Sequence, residues 1–117
     1  MLNHIAHTLR QQGRLDEALQ RHEEALLIYQ KILGPVDLNV GITHNLIAMA
    51  LQEQGKLDGA KENLKKSLSI LKEKGHLGWF GGAMHNLGRV LQAQGQLDEA
   101  MKVFEATLVL RKKCFGP

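Results

Sequence analysis

The sequence predicts an all-α protein assembled from three copies of one helix pair. One phrase returns with its glycine, leucine, aspartate and alanine in fixed order: QGRLDEA at 12–18, QGKLDGA at 54–60 and QGQLDEA at 94–100. Its glycines are 42 and then 40 residues apart, a period that is typical of stacked helical repeats. Apolar residues at helical spacing flank each copy, and no strand pattern competes with them.

The segment before each glycine carries one apolar stripe of a helix. Apolar residues stand eight and four positions before the glycine, and a small residue stands seven positions before it. In chain order these residues are Ile5, Ala6 and Leu9, then Ile47, Ala48 and Leu51, then Leu87, Gly88 and Leu91. We expect this stripe to be the buried side of a first helix in each copy.

The segment after each glycine predicts a second helix that packs closely against the first. Five and thirteen positions after the glycine stand Ala18 and Leu26, Ala60 and Leu68, and Ala100 and Leu108. Short side chains let two helices approach closely, which buries the larger neighbours. The glycine suits the left-handed conformation that ends the first helix, and the aspartate then places negative charge at the start of the second: Asp16, Asp58 and Asp98.

These signals predict six helices in three antiparallel pairs. The expected ranges are 2–12 with 15–33, 38–54 with 57–73, and 79–94 with 97–113. Pro35 blocks continuation of a helix, and Asp37 can cap the helix that follows. The second and third pairs are connected by KGHL at 74–77.

The stretch GWFGG at 78–82 lies where the fifth helix should begin. Each glycine inside a helix costs about 1 kcal/mol relative to alanine, so we expect this helix to fray or to start late. Trp79 and Phe80 allow two interpretations. In the first, both aromatic side chains fill the gap between the second and third pairs. In the second, Trp79 is an exposed anchor for a ligand.

Composition indicates one soluble domain with an ordinary charged surface. The 117 residues are 44% hydrophobic, and no apolar run approaches membrane-spanning length, so we expect no membrane association. The net charge is +3, but opposite charges alternate in stretches such as RHEEA and KENLKK, which is typical of a solvated helix surface rather than a nucleic-acid interface. Cys114 is the single cysteine and no signal-peptide pattern is present, so we expect a reducing compartment, the cytoplasm.

The phrases LIAMALQEQGKLDGAKENLKKSL and LGRVLQAQGQLDEAMKVFEATL resemble tetratricopeptide repeats, and LGPVDLNVGITHNLIAMALQEQGKLDGA is similar to the longer variety found in kinesin light chains. The resemblance covers nearly all of the chain. It implies a single domain, 1–117, with repeats at about 2–34, 38–75 and 78–115. It also implies a right-handed solenoid whose first helices line an inner concave surface while the second helices form the outside.

The chain departs from the family pattern at a few places that affect fine packing rather than the fold. Asp37 and Leu38 stand where the family often has His-Pro after LGP. His22 replaces the large apolar residue that Leu64 and Phe104 keep nine positions after the glycine. The small residue twelve positions after the glycine is in turn Ala25, Ser67 and Thr107.

The resemblance implies that exposed residues of the first helices bind a peptide or partner protein on the concave surface. Residues ten, six and three positions before each glycine share one such face: Asn3, His7 and Arg10, then Asn45, Met49 and Gln52, then His85, Arg89 and Gln92. Amides, cations and a flexible thioether suit an extended peptide or a short helix. Some family members hold a terminal carboxylate with a lysine and asparagine set, which this face does not match because it carries no lysine.

The residues predict no catalytic, metal or cofactor site. His4 and His7 are spaced to lie on neighbouring turns of a helix, but no cysteine or carboxylate joins them at a recognisable ligand spacing. Cys114 lacks a nucleophile signature, and GWFGG does not match a phosphate-binding loop. We therefore expect a protein-binding scaffold that is not an enzyme.

Two other functions are left open. Met1 and Leu2 begin partway into a first helix, and CFGP at 114–117 resembles the LGP that opens a repeat, so we expect a piece of a longer array or self-association through the apolar end. That end carries Val109, Leu110 and Phe115. Single-stranded RNA binding is the remaining alternative, although the helical-pair repeats that read RNA bases are shorter and lack this phrase.

Overall fold

The computed structural model describes the backbone of residues 14–115 and the side chains of residues 14–113. This part of the chain folds into five α-helices: α1 (Leu15–Leu33), α2 (Leu38–Glu53), α3 (Leu57–Glu73), α4 (Leu77–Ala93) and α5 (Leu97–Phe115). The all-α prediction is confirmed, and these five helices lie within two residues of their expected ranges. The helix expected at 2–12 lies outside the described residues.

The helices form a layered stack in chain order. Each of them packs against its neighbours in sequence, and α2 also contacts α4 across the intervening helix. Side-by-side contact between α2 and α4 places the two first helices in one layer, which fits a solenoid of helix pairs. None of the described helices has the length and apolarity needed to cross a bilayer.

The repeated glycine ends the first helix of the second and third pairs, as the sequence predicts. Gly55 and Gly95 both have φ of +79°, in the left-handed region. The next residue in each case, Lys56 or Gln96, donates its backbone N–H to a carbonyl five residues back at 2.9 Å, which closes the helix end. Gly13, the third glycine of this kind, lies outside the described residues.

Two side chains set the starts of α2 and α4. Asp37 Oδ1 accepts a hydrogen bond from the backbone N–H of Asn39 at 2.9 Å, so the expected cap of α2 is confirmed. The expected late start of α4 is wrong, because this helix begins at Leu77. His76 Nδ1 accepts from the backbone N–H of Trp79 at 3.3 Å, and Phe80 packs against the core, which together offset the cost of the glycines.

The repeated alanines are buried between the helices. Ala18 and Ala60 are 0% exposed and Ala100 is 3% exposed, as their short side chains predict. A buried apolar cluster spans the second and third pairs: Ala48, Ala60, Leu64, Leu71, Ala83 and Val90. Fully burying a leucine side chain of this cluster stabilises the fold by about 1.5–3 kcal/mol.

The variable small position twelve residues after the glycine is buried in all three pairs, at Ala25, Ser67 and Thr107. Ser67 Oγ donates to the carbonyl of Gly41 on the neighbouring helix at 2.7 Å. Thr107 Oγ1 donates to the carbonyl of Val103 at 2.8 Å. Each hydroxyl is therefore satisfied, and these departures from alanine do not disturb the packing.

Candidate functional site

An open depression of about 230 Å³ lies between α2 and α4, on the layer that the first helices form. We call it the inner depression; its lining residues are Met49, Gln52, Glu53, Asn86 and Arg89. The sequence analysis names Met49, Gln52 and Arg89 among its candidates. Glu53 and Asn86 are additional, and each lies one position from a residue that the spacing argument selects.

Helix geometry explains how these five side chains meet. Met49 lies one turn before Gln52 and Glu53 at the C-terminal end of α2, so the three project from neighbouring positions. Asn86 and Arg89 are likewise one turn apart on α4. Because α2 and α4 are in contact, the two short rows face the same opening.

Asn45 supports this surface from below. The spacing argument predicts an exposed side chain at Asn45, whereas the structure leaves it 3% exposed because α4 covers it. Asn86 Nδ2 donates to Asn45 Oδ1 at 3.0 Å. This hydrogen bond joins α4 to α2 and holds the amide of Asn86 in place at the inner depression.

His85 and Gln92 lie apart from the inner depression. The His85 ring is tilted against Phe104, with 5.6 Å between ring centroids, and Gln92 lines a second, apolar pocket on α5. Seven residues separate the two, so they share a stripe of α4 that is turned from Arg89 toward α5. Asn3, His7 and Arg10 lie outside the described residues.

The inner depression offers hydrogen-bonding groups of both kinds. The guanidinium of exposed Arg89 carries five N–H donors, and the amides of Gln52 and Asn86 both donate and accept. Glu53 adds a carboxylate, and Met49 adds a flexible apolar surface. No group of three or more histidine, cysteine, aspartate or glutamate side chains that could hold a metal ion occurs among the described residues.

A second polar cavity, of about 380 Å³, lies where α1, α2 and α3 meet, and sequence reasoning did not identify it. Its lining includes His44, Lys66 and Ser69. Burial lowers the pKa of the His44 imidazole from 6.5, and the charge of Lys66 acts in the same direction. A hydrogen bond at 3.0 Å between His44 Nδ1 and Asn63 Oδ1 opposes that shift.

Comparison with known proteins gives one consistent fold. The Tetratricopeptide repeat family matches residues 1–73 and again 81–117. The chain is 29% identical over 101 residues to outer dynein arm-docking complex subunit 4 of Xenopus laevis, which covers 80% of this chain. It is 29% identical over 92 residues to KINESIN LIGHT CHAIN-RELATED 3 of Arabidopsis thaliana, which covers 77% of this chain.

The chain is much shorter than these curated relatives, since it spans 19% of the first and 14% of the second. A crystal structure gives the same fold at TM-score 0.85 and 24% identity, covering 97% of this chain and 55% of the other. It contains the nearly identical TPR-like repeats of a Podosopora anserina protein described as a kinesin light chain. At that identity the likeness concerns the fold alone.

Proposed function

Since this chain belongs to the tetratricopeptide repeat family, with repeats like those of kinesin light chains, we propose that it is a protein-binding module without catalytic activity. Its ligand is a peptide or short helix of a partner protein, held at the inner depression. Protein interaction is the general role of this family, and the choice of ligand class and site is our own.

One observation carries the proposal. Met49 and Gln52 from one repeat meet Arg89 from the next at a single opening, and Asn86 joins them. A site shared by two consecutive repeats can contact an extended ligand at two points along its length, which suits a polypeptide. Its mixture of amides, a cation and a thioether can satisfy backbone groups and hold an acidic side chain.

The size of the inner depression favours a peptide over a cofactor. Pockets for small molecules typically hold about 300–1,000 Å³ and are mostly apolar. The inner depression is smaller, at about 230 Å³, and all of its lining residues except Met49 carry a polar or charged group. It can therefore accept one or two side chains of a longer ligand whose remaining length lies along the surface.

The proposal extends to the parts of the chain that the inner depression does not include. We assign Asn3, His7 and Arg10 to the same concave surface, one repeat earlier, and His85 and Gln92 to its other end. We also take 1–117 as one domain of six helices in a right-handed solenoid, in the cytoplasm. Neither a membrane nor a nucleic acid is among its proposed partners.

A peptide selection tests the function directly. Peptides displayed on phage are selected on the 117-residue chain, and the affinity of a labelled hit is measured by fluorescence anisotropy. We expect the double variant Gln52→Ala with Arg89→Ala to bind at least about tenfold more weakly, equivalent to about 1.4 kcal/mol. The matched control, Gln20→Ala with Lys72→Ala, also removes one amide and one cation, from exposed positions on α1 and α3.

Two outcomes contradict the proposal. Equal weakening by both double variants places the peptide elsewhere, and unchanged affinity in the first variant does the same. A labelled single-stranded RNA is measured beside the peptide, and RNA binding that disappears steeply with added salt supports the RNA alternative instead.

A further inference from the structure

The outer side of α5 is an exposed apolar stripe. Its members are Leu97, Met101, Phe104 and Leu108, which recur at spacings of four, three and four residues and so lie on one face of the helix. Leu97 is 61% exposed, Met101 63% and Leu108 55%, whereas Phe104 is half-buried. Together with Ala100, Gln92 and Glu105 they line a cavity of about 400 Å³. We call this surface the α5 face.

The corresponding face of the preceding repeat is covered by a first helix. Leu57, Leu64 and Leu68 occupy on α3 the positions that Leu97, Phe104 and Leu108 occupy on α5. Leu64 belongs to the buried cluster, and Leu57 and Leu68 pack against it, as do Phe80 and Leu87 of α4. The α5 face therefore has the form of a surface that receives a first helix, and no described helix covers it.

A polar contact accompanies each such covering in the described residues. Gln54 Nε2, at the end of α2, donates to Asp16 Oδ1 at the start of α1, at 2.5 Å. Gln94 Nε2, at the end of α4, donates to Asp58 Oδ1 at the start of α3, at 2.8 Å. The glutamine before the repeated glycine thus joins the repeated aspartate of the previous repeat.

Asp98 is the third aspartate of this kind, and it is exposed on α5. The sequence holds one more glutamine in the matching position, Gln12, directly before Gly13. Asp16, the first aspartate of the series, already accepts from Gln54. The pattern that pairs Gln54 with Asp16 and Gln94 with Asp58 leaves one glutamine, Gln12, and one aspartate, Asp98, for a further contact of the same kind.

The segment around Gln12 carries the rest of the covering pattern. Ile5 stands eight positions before its glycine, as Leu87 of α4 does, and Leu87 packs against the buried cluster that includes Leu64 of α3. Ile47, at the same position of α2, is 4% exposed. Residues 2–12 of a second copy therefore carry the apolar residue and the amide with which a first helix contacts the preceding repeat.

We propose that copies of this chain associate head to tail, with residues 2–12 of one copy docked on the α5 face of another. Gln12 of the docked copy donates to Asp98, and Ile5 covers Met101 and Leu108. Such a contact joins two different surfaces, so it leaves one free head and one free tail and allows growth beyond a dimer. It does not use the inner depression and stands independently of the peptide-binding proposal.

Sedimentation velocity of the 117-residue chain, from micromolar to millimolar concentration, tests the association. We expect the average mass to rise with concentration and to pass that of two chains. Met101→Glu should lower the association constant by at least about tenfold, because a charge then enters the apolar contact. Ala106→Glu, at an exposed position on the opposite side of α5, is the matched control and should leave association unchanged.

A charge exchange identifies the partner surface. Asp98→Lys and Gln12→Glu should each associate more weakly alone, and mixing the two variants should restore association, because the new carboxylate then meets the new ammonium group. Circular dichroism confirms that both variants remain folded. A chain that stays monomeric at every concentration overturns the proposal. A mixture of the two variants that associates no better than each variant alone also overturns it, and this second result is expected if two α5 faces pair with each other.

Discussion

The backbone of α4 touches the Phe104 ring at Gly88: a Cβ atom built on Gly88 would stand 2.5 Å from Phe104 Cε1. The equivalent positions one repeat earlier are Ala48 and Leu64, which belong to one buried cluster. The larger Phe104 thus faces a glycine, and the smaller Leu64 faces an alanine. The two positions are therefore matched in size in both pairs.

We predict that Gly88→Ala lowers the free energy of unfolding by about 1–3 kcal/mol, because the added methyl group forces the Phe104 ring to move. Helix propensity alone acts in the opposite direction, by about 1 kcal/mol. Urea denaturation measures the change. Gly82→Ala is the control: a Cβ there has no atom within 4 Å, so this variant should be stabilised by about 0.5–1 kcal/mol.

Adding Phe104→Leu to Gly88→Ala reproduces the pair found at Ala48 and Leu64. We expect this second change to recover most of the loss caused by the first. If Gly88→Ala is as stable as Gly82→Ala, the close contact between α4 and the Phe104 ring does not limit packing.

The neighbouring aromatic residues Trp79 and Phe80 should differ in their effect on stability. Phe80 packs against the buried cluster, whereas Trp79 is 36% exposed. We predict that Phe80→Ala lowers the free energy of unfolding by about 2–4 kcal/mol and Trp79→Ala by less than about 1.5 kcal/mol. Thermal and urea denaturation give both values, and a larger loss from Trp79→Ala would show that both rings fill the gap between the repeats.

The hydrogen bond between Gln94 and Asp58 should couple the two repeats that it joins. We predict a coupling free energy of about 0.5–1 kcal/mol in a double-mutant cycle built from Gln94→Ala and Asp58→Ala. The cycle separates the hydrogen bond from the favourable charge of Asp58 at the start of α3. Strictly additive losses would mean that the contact contributes nothing, and the Gln54–Asp16 pair provides an independent repetition.

Acid should destabilise the fold through His44. Burial lowers its pKa in the folded state below 6.5, so the unfolded chain binds the proton more readily. The contribution of His44 to the free energy of unfolding is therefore fully present above about pH 6.5. It falls with decreasing pH until the lowered pKa of the folded state is reached. His44→Gln keeps a donor for Asn63 but cannot titrate.

Urea denaturation at a series of pH values measures this effect. The difference in unfolding free energy between the original chain and His44→Gln should change with pH in that window and stay constant above it. A constant difference throughout would show that His44 titrates alike in the folded and unfolded states.

The repeated phrase was enough to predict the described helices and the alanines buried between them, because glycine, aspartate and alanine at fixed spacing each have a local physical role. It failed at the start of α4, where the contact of Phe80 with the core and the cap from His76 outweigh the propensity of glycine. Propensity is a local quantity, whereas these contacts depend on the neighbouring repeat. For the same reason the sequence did not predict the hydrogen bonds that Gln54 and Gln94 donate to the repeated aspartates. A favourable charge at a helix start was already a sufficient local reason for each aspartate.

The candidate site was predicted in part for a related reason. Spacing on one helix identified Met49, Gln52 and Arg89, which meet at the inner depression. It did not show that the next repeat covers Asn45, nor that His85 and Gln92 turn toward α5. Exposure in a stack depends on the following repeat, and a pattern within one helix does not contain that information.

Contacts in the described stack join helices that are near one another in sequence. Low contact order of this kind favours rapid folding that begins locally and spreads from one repeat to the next. Opening should therefore proceed inward from the outermost helix pairs. Amide hydrogen exchange is expected to be slowest in α2, α3 and α4, which have described neighbours on both sides, and the measured protection should be lower in α5.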